Sequence, residues 1–228
     1  MKKVKNILGF LLLICILLGL FYISTQLEET AMESVSGKQE ELSRQTNKHS
    51  DVYAWLTVEG TRIDYPIIQH LSDDSYYLSH DIDGQPTKYG AIFTERINNQ
   101  SFDDPVTIVY GHAMRDDAMF GSLKNFSEQE TFDTFRTIQV TTKEGQYTYD
   151  IFAAYTYTDE HLFYTYHLDK QGKLVQYISN VEQISQEYGG YYRKIDFISG
   201  KDKLLILSTC DLQLDGSRFV VHAIRRGG

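Results

Sequence analysis

The segment that most limits how this chain can fold is KLLILSTCDLQLDGSRFVVHAIRR, residues 203–226. Leu204, Leu205, Ile206 and Leu207 are apolar without interruption. A strand with one wet face alternates polar and apolar residues, so an unbroken apolar run of this length describes a strand covered on both sides. The strand pattern ends at Cys210, a polar connection DLQLDGS follows, and Arg218 opens a second apolar stretch. Antiparallel pairing puts the end of one strand beside the start of the next. Cys210 and Arg218 are therefore predicted at one rim of a sheet, within side-chain reach.

The chain around this hairpin is β-rich. YAWLTVEGTRIDYPIIQ (53–69) predicts two short strands about a turn at Glu59 and Gly60, and YGAIFTE (89–95) predicts another strand. DDPVTIVYGHAM (103–114) is a strand running into a glycine turn. TIQVTTKEGQYTYDIFAAYTYT (137–158) alternates about Glu144 and Gly145 as a hairpin does. DDSYYLSHD (73–81) reads as a helical turn and residues 120–135 as helical or mixed. Leu174, Tyr177, Ile178, Val181 and Ile184 recur at spacings of three and four, which predicts an amphipathic helix of about four turns closed by Gly189 and Gly190. The sum is a mainly β domain, expected to be a closed barrel, with one long helix before the last two strands.

Composition narrows the functional class. The chain has 228 residues, enough for one ordinary core, and a formal net charge of −9. An acidic chain with no Lys/Arg cluster beyond its first few residues argues against nucleic-acid binding. Lys2, Lys3 and Lys5 precede an uncharged run from Ile7 to Ile23, and Glu28, Glu29 and Glu33 follow it. A helix over that run is at the short end for crossing a bilayer, and the flanking charges place the N-terminus in the cytoplasm and the remainder outside. No A-x-A-like cleavage site follows the run, and Cys15 lies mid-run behind Ile14, unlike a lipid-attachment site. The predicted organisation is an anchor over 1–27, a stalk over 28–50 that becomes helical on meeting the domain, and a folded domain over 51–228.

With Cys15 in the membrane, Cys210 is the one thiol of the exported part and has no disulfide partner. A thiol at a strand end is either a small buried hydrophobe or a nucleophile. A thiolate attacks carbonyl carbon, and a guanidinium beside it can hold the oxygen that turns negative. Arg218 has a plainer reading too, as a surface charge balancing Asp215 or Asp211. A nucleophile also needs a proton carrier, usually histidine. His112 follows Gly111 at the exit of a predicted strand. His222 shares the hairpin with the thiol but sits mid-strand, where a histidine is more often a barrel or surface side chain. Among His49, His70, His80, His112, His161, His167 and His222, spacing favours His112.

These residues carry a family resemblance. LSTC after an apolar strand, with arginine eight residues on, resembles the signature of sortases, and VYGHAM before MFGSLKNF resembles the sortase histidine motif. The N-terminal helical segment, YAWLTVEGTRIDYPIIQ, DDSYYL and the long helix before the last two strands look like class B, over roughly residues 50–225. The resemblance implies an eight-stranded closed β-barrel with Cys210 as nucleophile, His112 as acid/base and Arg218 as oxyanion or substrate stabiliser. Ser208 and Thr209 are implied as lining residues, and Asp211 as a residue that orients His112 or belongs to a solvated turn. It further implies a monomeric catalytic domain on the outer face of the cell membrane of a Gram-positive organism. The enzyme cuts a C-terminal sorting motif of secreted proteins after threonine and passes the thioacyl group to an amine of peptidoglycan or of a pilin. No metal or other cofactor is implied. A cysteine protease that only hydrolyses and a non-catalytic surface-binding module are the alternatives.

Overall fold

Nine strands follow the helical N-terminus: β1 (Val52–Val58), β2 (Asp64–Ile68), β3 (Phe93–Thr94), β4 (Val106–Gly111), β5 (Thr137–Thr141), β6 (Gln146–Thr158), β7 (Tyr191–Tyr192), β8 (Lys203–Cys210) and β9 (Ser217–Arg225). These come from a computed structural model that describes residues 2–210 and 216–227. The strands hydrogen-bond in the order β5-β1-β2-β3-β4-β8-β9-β6, and β5 pairs with β6 to close the ring. The result is the eight-stranded closed barrel, with β7 attached to β6 outside it. A closed ring leaves no unpaired edge among its own strands.

The helices are α1 (Lys2–Lys48), α2 (Gln129–Thr134), α3 (Leu162–Thr165) and α4 (Gln171–Glu187), with 3-10 turns at Tyr76–Leu78 and Gly121–Ser127. The unbroken apolar run of β8 has its predicted cause. Leu205 and Leu207 join Val109, Phe102 and Phe120 in the core inside the barrel. Leu204 and Ile206 face the other way, into a second core with Leu162 and Phe163 of α3 and Leu174, Tyr177, Ile178 and Val181 of α4. Each fully buried side chain of this size contributes roughly 1.5–3 kcal/mol, so the two-sided cover fixes β8 firmly.

The end of α4 follows from its glycines. Gly189 has φ +69°, a left-handed conformation that only glycine adopts without strain. Its N–H bonds to the Gln186 carbonyl at 3.1 Å, and that of Gly190 bonds to the Ser185 carbonyl at 2.7 Å. These two bonds satisfy carbonyls that a helix end otherwise leaves unpaired.

Helix α1 differs from expectation. The stalk does not become helical only on meeting the domain; it is helical from Lys2 through Lys48. Residues 24–48 contain no proline, and Gly37, the one glycine among them, is a small penalty of about 1 kcal/mol. The helix is long and apolar enough to cross a membrane. Residues 1–40 form one unit and residues 41–228 a second, to which the last turns of α1 belong. Leu42 from those turns is buried with Val52, Ile68, Tyr77 and Phe93.

Candidate active site

Three neighbouring strands deliver the predicted residues to one rim. β4 and β8 run parallel, with Gly111 opposite Thr209. One step further along this register stand His112 and Cys210. β9 runs antiparallel to β8, and its register places Arg218 directly opposite Cys210. The backbone alone thus puts histidine, cysteine and arginine side by side, in that order.

His112 is seated by glycines on both sides. A Cβ at Gly111 would lie 2.4 Å from Ile92 Cδ1 and 3.0 Å from the Phe120 ring, so a larger residue there would displace the side chains packed against it. Gly90 has φ +58°, and a Cβ on it would lie 2.5 Å from the Tyr77 carbonyl and 3.1 Å from the ring of His112. The half-buried His112 ring places Nε2 2.7 Å from the Leu78 carbonyl. A carbonyl only accepts, so Nε2 carries the hydrogen and Nδ1 is the basic nitrogen of the neutral ring.

Arg218 is half-buried at the start of β9, and its Nε–H donates to the Asp159 carbonyl at 3.3 Å. No carboxylate among the described residues pairs with it. Asp211 and Asp215, the surface-charge partners offered by the sequence, lie outside the described residues.

A cavity of about 160 Å³ opens beside Arg218, lined also by Ser208, Tyr110, Leu78, Glu95 and His161. Tyr110 is the residue of β4 opposite Ser208. Its hydroxyl lies 3.1 Å from His161 Nε2, and the same nitrogen lies 2.9 and 3.1 Å from the two carboxylate oxygens of Glu95. Burial first, and then the Glu95 carboxylate, push the Tyr110 phenol well above its ordinary pKa, while Arg218 pulls weakly the other way.

Of the lesser candidates, Ser208 lines the cavity, whereas Thr209 is buried and is not among its lining residues. His222 is not among the residues that line this cavity. It is fully buried in mid-β9, with Nε2 2.6 Å from the Tyr177 hydroxyl of α4 and 3.4 Å from that of Tyr155. Leu78, Tyr110 and the Glu95–His161 pair were not singled out by the sequence. Glu95 and His161 stand far apart in the chain, and no local pattern joins them.

The Sortase domain family model matches residues 56–226. The chain is 31% identical to sortase B of Listeria monocytogenes, covering 82% of this chain and 74% of that protein. Among solved structures it resembles a Streptococcus pyogenes class B sortase involved in pilus biogenesis, with TM-score 0.70 and 28% identity over 81% of this chain and 97% of that one. Sortase B of Clostridium perfringens superposes with TM-score 0.68, at 28% identity, over 80% of this chain and 98% of that one. A barrel carrying a cysteine, a histidine and an arginine on adjoining strands, matched in sequence and in fold over nearly all of its domain, belongs to the sortase family of cysteine transpeptidases, within class B.

Proposed function

We propose that Cys210 is the nucleophile, His112 the general acid/base and Arg218 the oxyanion stabiliser of a transpeptidase that acts on sorting motifs. The observation that carries this reading is the register: His112 one step beyond Gly111, Cys210 one step beyond its partner Thr209, and Arg218 opposite Cys210.

The Cys210 thiolate attacks the carbonyl carbon that follows the threonine side chain of the motif. Negative charge moves onto the carbonyl oxygen, where the guanidinium of Arg218 donates to it. As the oxyanion collapses, protonated His112 gives its proton to the leaving amine, and the threonine acyl group remains on sulfur. An incoming amine then attacks the thioester, His112 takes its proton, and the thiolate leaves. The bond from Nε2 to the Leu78 carbonyl turns Nδ1 into the nitrogen that exchanges the proton. The cavity beside Arg218 seats a side chain of the motif.

The acceptor is an amine of peptidoglycan or of a pilin. Both substrates meet the enzyme outside the membrane, so the apolar part of α1 is the anchor, with its lysines in the cytoplasm. Residues 1–27 are the tip and anchor, 28–50 the stalk and 51–228 the catalytic domain.

The test uses the detergent-solubilised chain, a set of sorting peptides and an added amine. Product analysis should show an amide to the added amine, and Cys210→Ala should abolish cleavage while the melting curve is kept, because it deletes the covalent step and little volume. Hydrolysis that the amine does not divert would make the enzyme a protease. More than a few per cent of activity in the alanine variant would remove Cys210 from the mechanism.

A further inference from the structure

The carbonyl that meets His112 is placed by a short chain of contacts leading back to the end of α1. Leu78 closes the 3-10 turn Tyr76–Leu78, and its carbonyl oxygen lies 2.7 Å from His112 Nε2. One residue earlier, the Tyr77 side chain is buried in a cluster with Leu42, Val52, Ile68 and Phe93. Its hydroxyl donates to Asp51 Oδ2 at 2.6 Å. Burial first, and then that bond, push the Tyr77 phenol well above its ordinary pKa, so it stays protonated and remains a donor. Asp51 lies just past the end of α1, and its own carbonyl accepts from the Gln69 N–H at 3.0 Å. The Tyr77 carbonyl accepts from the Ala91 N–H at 2.9 Å. The residue before Leu78 is thus tied through both its backbone and its side chain.

The space between the turn and the histidine is full. Gly90 has φ +58°, and a Cβ on it would lie 2.5 Å from the Tyr77 carbonyl oxygen, 3.0 Å from that of Leu78 and 3.1 Å from the His112 ring. A side chain at Gly90 would therefore part the carbonyl from the imidazole. A neutral imidazole keeps its hydrogen on the nitrogen whose partner accepts it, so the place of one carbonyl decides which nitrogen is basic. A shift of about 1 Å in such a group is enough to cost about 10²-fold in rate.

We propose that Tyr77 is a positioning residue for His112, an inference that rests on the acid/base role proposed for that histidine. Its hydroxyl, held by Asp51, fixes the turn whose Leu78 carbonyl keeps the imidazole hydrogen on Nε2 and leaves Nδ1 to exchange the substrate proton.

The test uses the full, detergent-solubilised chain with nitrogen-15 in its histidines, the His112 signals being those lost in His112→Gln. At about pH 9, where an unperturbed imidazole is neutral, the wild-type ring should carry its hydrogen on Nε2. Tyr77→Phe keeps the ring in its cluster and removes only the hydroxyl. It should let the Nδ1–H form appear beside the Nε2–H form and lower kcat about tenfold, with KM within about twofold. Asp51→Ala should do the same, and Asp51→Asn, whose amide oxygen still accepts, should recover most of the loss. Gly90→Ala should cost more, about 10²-fold; should it fail to fold, Tyr77→Phe still decides. Rates are taken per Cys210 labelled by a small alkylating agent, so loss of folded protein does not count as loss of kcat. A merely structural defect would not move the hydrogen between the nitrogens of a folded ring. A wild-type ring with its hydrogen on Nδ1, or a Tyr77→Phe chain that keeps either the wild-type tautomer or the wild-type kcat, overturns the positioning role but leaves the transpeptidase reading standing. If His112→Gln itself cleaves at the wild-type rate, the acid/base reading fails, and this inference with it.

Discussion

Arg218 shows how a single residue can separate two explanations. A surface charge is replaceable, because exposed ion pairs contribute only about 0–1 kcal/mol and lysine serves as well as arginine. An oxyanion donor is not, because the planar fork fixes the direction of its N–H groups and an ammonium has no such plane. With Nε held by the Asp159 carbonyl, the Nη groups are the part left to reach a reacting oxygen. Arg218→Lys should therefore lose about 10²–10³-fold in kcat/KM, as deletion of one oxyanion donor does. Its melting temperature should hardly move. Steady-state cleavage of a fluorogenic sorting peptide beside the melting curves measures both, and a near-normal rate would return Arg218 to the surface-charge role. At this scale the sequence was informative at the strand ends. Cys210, His112 and Arg218 could each be placed from the few residues before them. Glu95 and His161 could not, because only the finished fold brings β3's end against α3's start.

Strand β9 and helix α4 meet through His222, and their contact carries a pH dependence. Burial in that second core lowers the His222 pKa to about 3. In the unfolded chain the same group titrates near about 6.5. Below that value the unfolded state takes up a proton that the folded state refuses, so stability falls as pH drops from about 6.5 toward 3 and levels off beneath. Between pH 7.5 and 4.5 the loss is on the order of 3 kcal/mol. Urea unfolding at pH 7.5 and 4.5 should show the wild-type chain losing more stability than His222→Gln by that amount. Equal losses in the two proteins would mean that the folded state accepts the proton. The mid-strand position of His222 in β9 pointed to a barrel side chain, and it is fully buried. What alternation could not supply was the partner, since Tyr177 reaches it from a helix whose docking on the barrel has no local signature.

For the molecule as a whole, the boundary lies inside a helix. Residues 1–40 and 41–228 are separate units although α1 runs through both. Removing residues 2–40 should leave the melting temperature within about 2 °C of the intact chain. Removing residues 2–48 also deletes Leu42, which is buried beside Val52 and Tyr77, and the Lys48–Asp83 ion pair at 3.3 Å. Loss of a buried leucine is destabilising by about 2–5 kcal/mol, or roughly 5–15 °C in a domain of this size. Calorimetry of the two truncations decides the matter, and equal melting points would move the boundary past Lys48. The sequence predicted the barrel from its alternating runs, because binary pattern is local. It did not predict the parallel pairing of β4 with β8, nor β7, whose two residues are too few to carry a pattern.

That parallel pairing has a temporal consequence. Val106 lies beside Leu204 across nearly half the chain, and β9, the strand that joins β8 to β6, is the last element made. Chains emerge N-terminus first, and pairings between distant segments form slowly. The segment that carries His112 is therefore made long before the strands that bear Cys210 and Arg218. A chain stopped before Ser217 has the thiol but neither the ring closure nor Arg218. On the roles proposed for Cys210 and Arg218, the chemistry waits for the final strand, and a copy that lacks it carries an idle cysteine.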